Sequence, residues 1–94
     1  MKLRYTKPAL ADLAEILAFT ASKSATRAGK IYARLHTVIE LLTSFPHLGK
    51  QTANPTIRRL TVTPYAYMIF YEPTGTEIII HAIRHSADPR TKPG

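Results

Sequence analysis

The stretch that decides the fold is SFPHLGKQTANPTIRRLTVTPYAYMIFY, residues 44–71. A long helical pattern ends at its start, because Pro46 cannot continue a helix and Gly49 suits the turn beyond it. Two runs with the composition of strands, 57–63 and 66–72, then follow a polar segment. The order of helix, proline-glycine stop, arginine-rich strand and aromatic strand predicts a helical layer followed by a meander of strands.

Two amphipathic helices are predicted before this stretch. Thr6 is a suitable cap for the first, whose apolar stripe recurs at three- and four-residue spacing: Leu10, Leu13, Ile16, Leu17 and Thr20. Ser22 or Ser24 begins the second, whose stripe is Ile31, Leu35, Val38, Ile39, Leu42 and Phe45. Asp12 and Glu15 are placed near the positive end of the first helix dipole. The short connection predicts an antiparallel helical hairpin.

The strand pattern completes the fold. Residues 2–5 suit a short edge strand, residues 77–84 a β-branched strand, and the turn signal at 73–76 predicts a hairpin before it. The predicted order is β-α-α-β-β-β, an α+β fold with the helical hairpin packed on an antiparallel sheet. Residues 1–94 form one domain, with 50–56 as a loop and an irregular tail at 86–94.

Composition narrows the classes of function. The net charge of +7 on 94 residues favours a polyanionic partner, either nucleic acid or an acidic protein. The sequence has no cysteine, which excludes disulfides and thiolate metal sites. No apolar run approaches the roughly 20 residues of a membrane-spanning helix. We therefore expect a cytoplasmic protein that neither enters a membrane nor carries a metal or cofactor.

Arginines near the strand ends are the first candidates for chemistry. Arg58 and Arg59 open one predicted strand, and Arg84 and His85 end another. Arginine holds phosphate or carboxylate in two hydrogen bonds, so Arg58 and Arg84 would converge on one anion if their strands were neighbours. Ordinary surface ion pairs explain the arginines equally well. His85 beside an arginine could donate a proton during RNA cleavage.

Tyrosines and a basic helix face are the second group. Tyr65 begins its strand and could stack on a base, whereas packing is the default explanation for Tyr67 and Tyr71. The second helix carries a basic row opposite its stripe: Arg27, Lys30 and Arg34. The simplest interpretation of this row is a solvated face, with a secondary role as a contact surface.

Several short motifs occur in a characteristic order: Thr6-Lys7-Pro8-Ala9, Asp12-Leu13-x-x-Ile16, Leu42-x-x-x-Pro46-x-x-Gly49, Arg58-x-Leu60-x-Val62 and Ala82-Ile83-Arg84-His85. Together they cover about the whole chain. In this order and spacing the chain resembles the RelE/ParE superfamily of toxins from type II toxin–antitoxin modules, and most of all its ParE branch.

The resemblance implies a βααβββ fold and a cognate acidic antitoxin that neutralises the toxin in a hetero-oligomer. A ParE-like toxin would inhibit DNA gyrase by binding and would not be an enzyme. The expected target-binding residues are Arg58, Arg59, Tyr65, Arg84 and His85, and the expected antitoxin contacts are Arg27, Lys30 and Arg34. One alternative is a RelE-like endonuclease that cuts mRNA on the ribosome, with Arg58 and Arg84 on the phosphate and His85 as the acid. Another is a non-toxic module that only binds its antitoxin.

Overall fold

The computed structural model describes residues 1–88, and they follow the predicted order with one addition. The elements are β1 (Lys2–Tyr5), α1 (Lys7–Lys23), α2 (Ala25–Ser44), β2 (Lys50–Gln51), β3 (Arg58–Val62), β4 (Tyr67–Pro73) and β5 (Glu77–His85). The addition is β2, a two-residue strand inside the segment expected to be a loop. Of the predicted tail, residues 86–88 follow β5 in a turn, and 89–94 lie outside the described residues.

The two helices are joined by a single extended residue. Ser24 ends α1 by donating its backbone N–H to Thr20 O at 2.8 Å, and it begins α2 by accepting Arg27 N–H on its side-chain oxygen at 3.2 Å. At the other end of α1, the Thr6 hydroxyl oxygen accepts Ala9 N–H at 3.2 Å. The bonds accepted by the side chains of Thr6 and Ser24 are N-cap bonds, which satisfy backbone donors without an intrahelical partner. They confirm the expected helix starts.

The strands form one sheet in the order β1-β5-β4-β3-β2. The pairs from β5 to β2 are antiparallel, but β1 pairs with β5 in parallel. The sheet is therefore mixed, which corrects the expectation of a purely antiparallel one. Parallel neighbours need a long crossover connection between them. β1 and β5 have one, because all the other elements of the described chain come between them.

Both helices pack on the same face of this sheet. The core joins buried residues of α1 and α2 to those of the strands: Ala9, Ile31, Leu35, Val38, Ile39, Leu42, Val62, Ile69, Tyr71, Ile78, Ile80 and Ile83. Two members of the predicted stripes are exposed instead. Leu10 is 51% exposed, and Phe45, which follows the last residue of α2, is 58% exposed. Neither helix of the described residues combines the length and apolarity needed to cross a membrane.

An irregularity in β5 decides where its last side chains face. Phe70 pairs with Ala82 and Tyr71 pairs with Ile80, so β5 has one residue, His81, more than β4 at this point. Such a bulge reverses the alternation of side chains beyond it. Ile80 faces the helices before the bulge and Ile83 does so after it.

Candidate functional site

The sheet face opposite the helices is cationic. Residues directly opposite each other in an antiparallel ladder share a face, and Arg59 pairs with Phe70 while Thr61 pairs with Met68, which pairs with Arg84. We refer to this surface as the open face, formed by Lys50, Arg59, Thr61, Met68, Phe70 and Arg84.

Phe70 lies in the middle of the open face with an arginine beside it. The Arg84 guanidinium carbon is 5.8 Å from the centre of the Phe70 ring. At this distance the cation is attracted to the ring face, and the aromatic surface fixes the direction of the arginine. Phe70 and Arg84 are both half-buried. The centre of the open face is therefore an ordered pair of one apolar and one cationic group.

Carboxylates occur towards the β1 side of the same face, where each has a basic partner. Glu72 Oε1 is 2.9 Å from His81 Nε2, and Glu77 Oε1 is 3.2 Å from an Arg4 guanidinium nitrogen. Among residues 1–88, no ion pair involves Lys50 or Arg59 at the β2 side. Away from these carboxylates, the open face carries Lys50 on β2, Arg59 on β3 and Arg84 on β5.

Arg58 is on the other face and serves the fold. Its guanidinium donates to Gly49 O at 2.7 Å and to His47 O at 3.5 Å. Its neighbour across the ladder, Tyr71, is fully buried, accepts Gly49 N–H at 2.8 Å and donates its hydroxyl to Pro46 O at 2.8 Å. We refer to Arg58, Tyr71 and the turn they hold as the turn brace.

Burial raises the pKa of Tyr71 above its ordinary value, against the opposing effects of the Gly49 hydrogen bond and the nearby Arg58 charge. The raised pKa is what a buried phenol shows when its charged form would lose water. A phenol is already neutral below its ordinary pKa of about 10, and the raised pKa extends that range to higher pH, so the hydroxyl keeps the proton that it donates to Pro46 O.

The condition for Arg58 and Arg84 to converge on one anion, that their strands are neighbours, is not met. Arg58 lies on β3 and Arg84 on β5, with β4 between them, and they are on opposite faces of the sheet. His85 is on the helix side with Arg58, but it pairs with Tyr67 while Arg58 pairs with Tyr71. Tyr67 and Tyr71 are four residues apart on β4, which places His85 and Arg58 about 13 Å apart along the strand direction. The three residues of the nuclease hypothesis are therefore not assembled into one centre.

His85 lines a small cavity between β5 and α1. Its ring meets Tyr67 edge-on, with 5.3 Å between ring centres, and its Nδ1 accepts Ala87 N–H at 3.0 Å. The cavity has a volume of about 200 Å³, and α1 contributes four lining residues: Asp12, Glu15, Ile16 and Phe19. His85 thus lies beside a cavity shared by α1 and β5, and Arg84 of the open face also lines that cavity.

Asp12 has a role that the sequence interpretation missed. It lies beyond the first turn of α1, so the helix dipole does not explain it. Its carboxylate accepts the N–H of Ile83 at 3.0 Å, where β5 extends past the end of β1 and has no strand beside it. The sequence did carry a signal for this bond, namely a carboxylate next to the apolar stripe of a helix. At such a position, contact with water alone does not explain a charged side chain.

The basic row of α2 contacts the turn between β3 and β4. Arg34 Nε donates to Thr63 O at 2.8 Å, and the Arg27 guanidinium carbon is 5.4 Å from the centre of the Tyr65 ring. Lys30 is exposed between them. Two of the three predicted antitoxin contacts therefore also bind helix to sheet, which a purely solvated row would not do. Tyr65, expected in the target site, lies here and away from Arg59 and the open face.

No group of three histidine, aspartate or glutamate residues within positions 1–88 is arranged to hold a metal ion. The sites in the described residues are surfaces with charged and apolar side chains.

Comparisons with known proteins give a match to a family and a likeness of fold. The family model of the ParE toxin of type II toxin-antitoxin system, parDE, matches residues 3–89. Among solved structures, a chain of the chromosomal ParDE toxin–antitoxin system from P. aeruginosa superimposes with a TM-score of 0.79 at 24% sequence identity, over 90% of this chain and 95% of that one. No curated protein matched the sequence. The family match spans nearly all of the described residues, and the chain therefore belongs to the ParE toxin family of type II toxin–antitoxin systems.

Proposed function

We propose that this protein is the toxin of a type II toxin–antitoxin module that acts in the cytoplasm, where it binds and inhibits DNA gyrase. A cognate acidic antitoxin neutralises it by forming a hetero-oligomer. The membership of the ParE family supports this proposal, and the positive charge of the chain suits an acidic partner.

The observation that carries the proposal is the separation of the candidate residues. Arg59 and Arg84 lie on the open face and Arg58 lies on the helix side, while His85 lines a cavity that Arg84 also borders. RNA cleavage needs an acid and phosphate-holding groups within reach of one phosphate. Arg58 and Arg59 lie on β3, which β4 separates from His85 on β5, so the described residues do not bring both strands' arginines and His85 to one phosphate. This favours inhibition by binding, and we assign the target contact to the open face.

The first experiment measures gyrase supercoiling of relaxed plasmid with increasing purified protein. We expect inhibition at micromolar protein. Reversal of charge in Arg59→Glu should raise the half-inhibitory concentration by about tenfold or more, since one charge-assisted contact becomes a repulsion. Lys23→Glu is the matched control, because Lys23 ends α1 and its recorded contact is with Phe19 of the same helix. Unimpaired supercoiling at micromolar wild-type protein would refute the gyrase proposal.

Two further measurements separate the alternatives. A translating extract treated with the protein should keep its messages intact, whereas cleaved messages that disappear with His85→Ala would establish the endonuclease. Expression of the toxin without an antitoxin should arrest growth, and expression of the neighbouring antitoxin gene should restore it. Unimpaired growth would instead identify a module that only binds its antitoxin.

A further inference from the structure

Two positive side chains stand directly opposite each other on the open face. Lys50 of β2 pairs with Arg59 of β3 in an antiparallel register. Side chains in such positions have Cβ atoms about 5 Å apart, and like charges there destabilise the strand pair. Among residues 1–88 neither one has a carboxylate at ion-pair distance. The pair is therefore an uncompensated cost in the isolated chain.

Protection of the sheet edge explains Lys50 but does not explain Arg59. Lysine on an edge strand discourages unwanted pairing with other strands, and Lys50 is on the edge strand β2. Arg59 is on β3, which has a neighbour on both sides, and protection of an edge does not account for it. An anionic group placed between the two would turn the repulsion into two charge-assisted contacts.

The surroundings of the pair indicate a protein rather than a nucleic acid. Arg59 is directly opposite Phe70, and the Phe70 ring is already faced by the Arg84 guanidinium at 5.8 Å. Sheets that read single-stranded RNA offer two or three aromatic rings for stacking, whereas Phe70 is the one aromatic side chain among the six residues of the open face. An extended peptide needs no such platform, since it presents alternate side chains to one side.

We propose that Lys50 and Arg59 form a carboxylate-binding site for an extended acidic segment of a protein partner. The segment lies over β2, β3 and β4, with a carboxylate between the two cations and an apolar side chain against Phe70 and Met68. This inference rests on the proposed function in so far as the neutralising antitoxin is the natural source of such a segment. Its direct test needs neither gyrase nor the antitoxin.

The test measures binding of labelled probes to the full-length protein by fluorescence anisotropy at low salt. The first probe is a short peptide that repeats glutamate, alanine, leucine and alanine, so that carboxylates and apolar side chains of the extended form share one side. The second replaces glutamate by glutamine, and the third is a single-stranded oligonucleotide of random sequence. Lys50→Gln and Arg59→Gln are the test variants, and Lys23→Gln removes the same charge elsewhere.

We expect the glutamate peptide to bind best and the glutamine peptide at least about tenfold more weakly, since its contacts are no longer charge-assisted. Each test variant should weaken the glutamate peptide by about tenfold, and the control variant by less than about twofold. Without peptide, either test variant should melt at a temperature no lower than wild type, because it removes a repulsion.

Three results would overturn the proposal. Equal loss of binding in the control variant would mean attraction by net charge alone. Equal binding of the glutamine peptide would mean apolar adhesion. Tighter binding of the oligonucleotide through the same two residues would mean a nucleic acid site. Peptide binding with the expected pattern, in a protein that leaves gyrase active, would uphold this site and refute the proposed target.

Discussion

Replacement of Tyr71 by phenylalanine tests the turn brace most directly. The change removes one oxygen atom from a fully buried ring and leaves the ring in place. That oxygen accepts Gly49 N–H and donates to Pro46 O, each at 2.8 Å. Gly49 is buried and Pro46 half-buried, so water cannot fully replace the lost partner. The turn after α2 should lose its anchor on the sheet.

The magnitude follows from the two bonds. A typical hydrogen bond contributes about 1 kcal/mol net, and a buried donor left without a partner costs about 1–3 kcal/mol. The half-buried Pro46 carbonyl regains part of its loss from water. We therefore expect the free energy of unfolding to fall by about 2–3 kcal/mol, a large part of the stability of a domain of this size. The melting temperature should drop by about 10–20 °C.

Chemical denaturation with urea measures this difference, and Tyr65→Phe is the matched control. Tyr65 is half-buried, and the contact recorded for it is between its ring and Arg27, which phenylalanine keeps. The control should change stability by less than about 0.5 kcal/mol. A loss of less than about 0.5 kcal/mol in Tyr71→Phe would refute the reasoning, since the buried hydroxyl would then contribute no net stabilisation.

The same variant has a characteristic dependence on pH. Burial raises the pKa of Tyr71, so the folded protein holds the phenolic proton more tightly than the unfolded chain does. The contribution of the Tyr71 hydroxyl to the free energy of unfolding is fully present below the ordinary tyrosine pKa of about 10. It is lost as pH rises through the raised pKa of the folded state. The stability difference between wild type and Tyr71→Phe should therefore narrow above pH 10. Burial also raises the pKa of Tyr5, but that effect is common to both proteins.

Two further substitutions test close contacts. In Gly49→Ala the new Cβ would lie 2.8 Å from a Tyr71 ring carbon and 2.9 Å from Arg59 O. We therefore expect the free energy of unfolding, measured by urea denaturation, to fall by about 1–3 kcal/mol. An unchanged denaturation midpoint would show that the turn can shift freely. Asp12→Ala should cost about 1–2 kcal/mol and speed hydrogen exchange of the Ile83 amide, because that N–H loses its acceptor. Asp12→Asn keeps an acceptor oxygen and should exchange nearly as slowly as wild type, and equal rates in both variants would contradict the assigned bond.

The elements of the fold were predictable because their signals are local. Thr6 and Ser24 each cap a helix with a bond to the third residue onward, a relation visible in a few letters of sequence. The alternation of Arg58, Leu60 and Val62 likewise placed all three on one face, as the ladder to β4 confirms. The parallel pairing of β1 had no such local signal, because its partner comes more than 70 residues later.

The candidate site was harder to predict because its geometry depends on register. Unbroken alternation from Ile78 and Ile80 would have put Arg84 on the helix side with Arg58. The extra residue His81 reverses this parity, so Arg84 is on the open face with Arg59. A bulge depends on how two strands pair, and one strand's sequence does not reveal it. The role of Arg58 was missed because it also depends on a distant part of the chain. The carbonyl groups to which Arg58 donates belong to the turn after α2.

The pairing of β1 with β5 has a consequence for biosynthesis. β5 is the last element of the described chain, and it is the strand that joins β1 to the other three. While the ribosome is still adding residues before position 77, the first strand has nothing to pair with and the helices lack Ile78, Ile80 and Ile83 beneath them. The nascent polypeptide therefore cannot complete its sheet until β5 has emerged from the ribosome. A message truncated before that point would yield a product without a completed sheet, and hence without whatever activity the sheet supports.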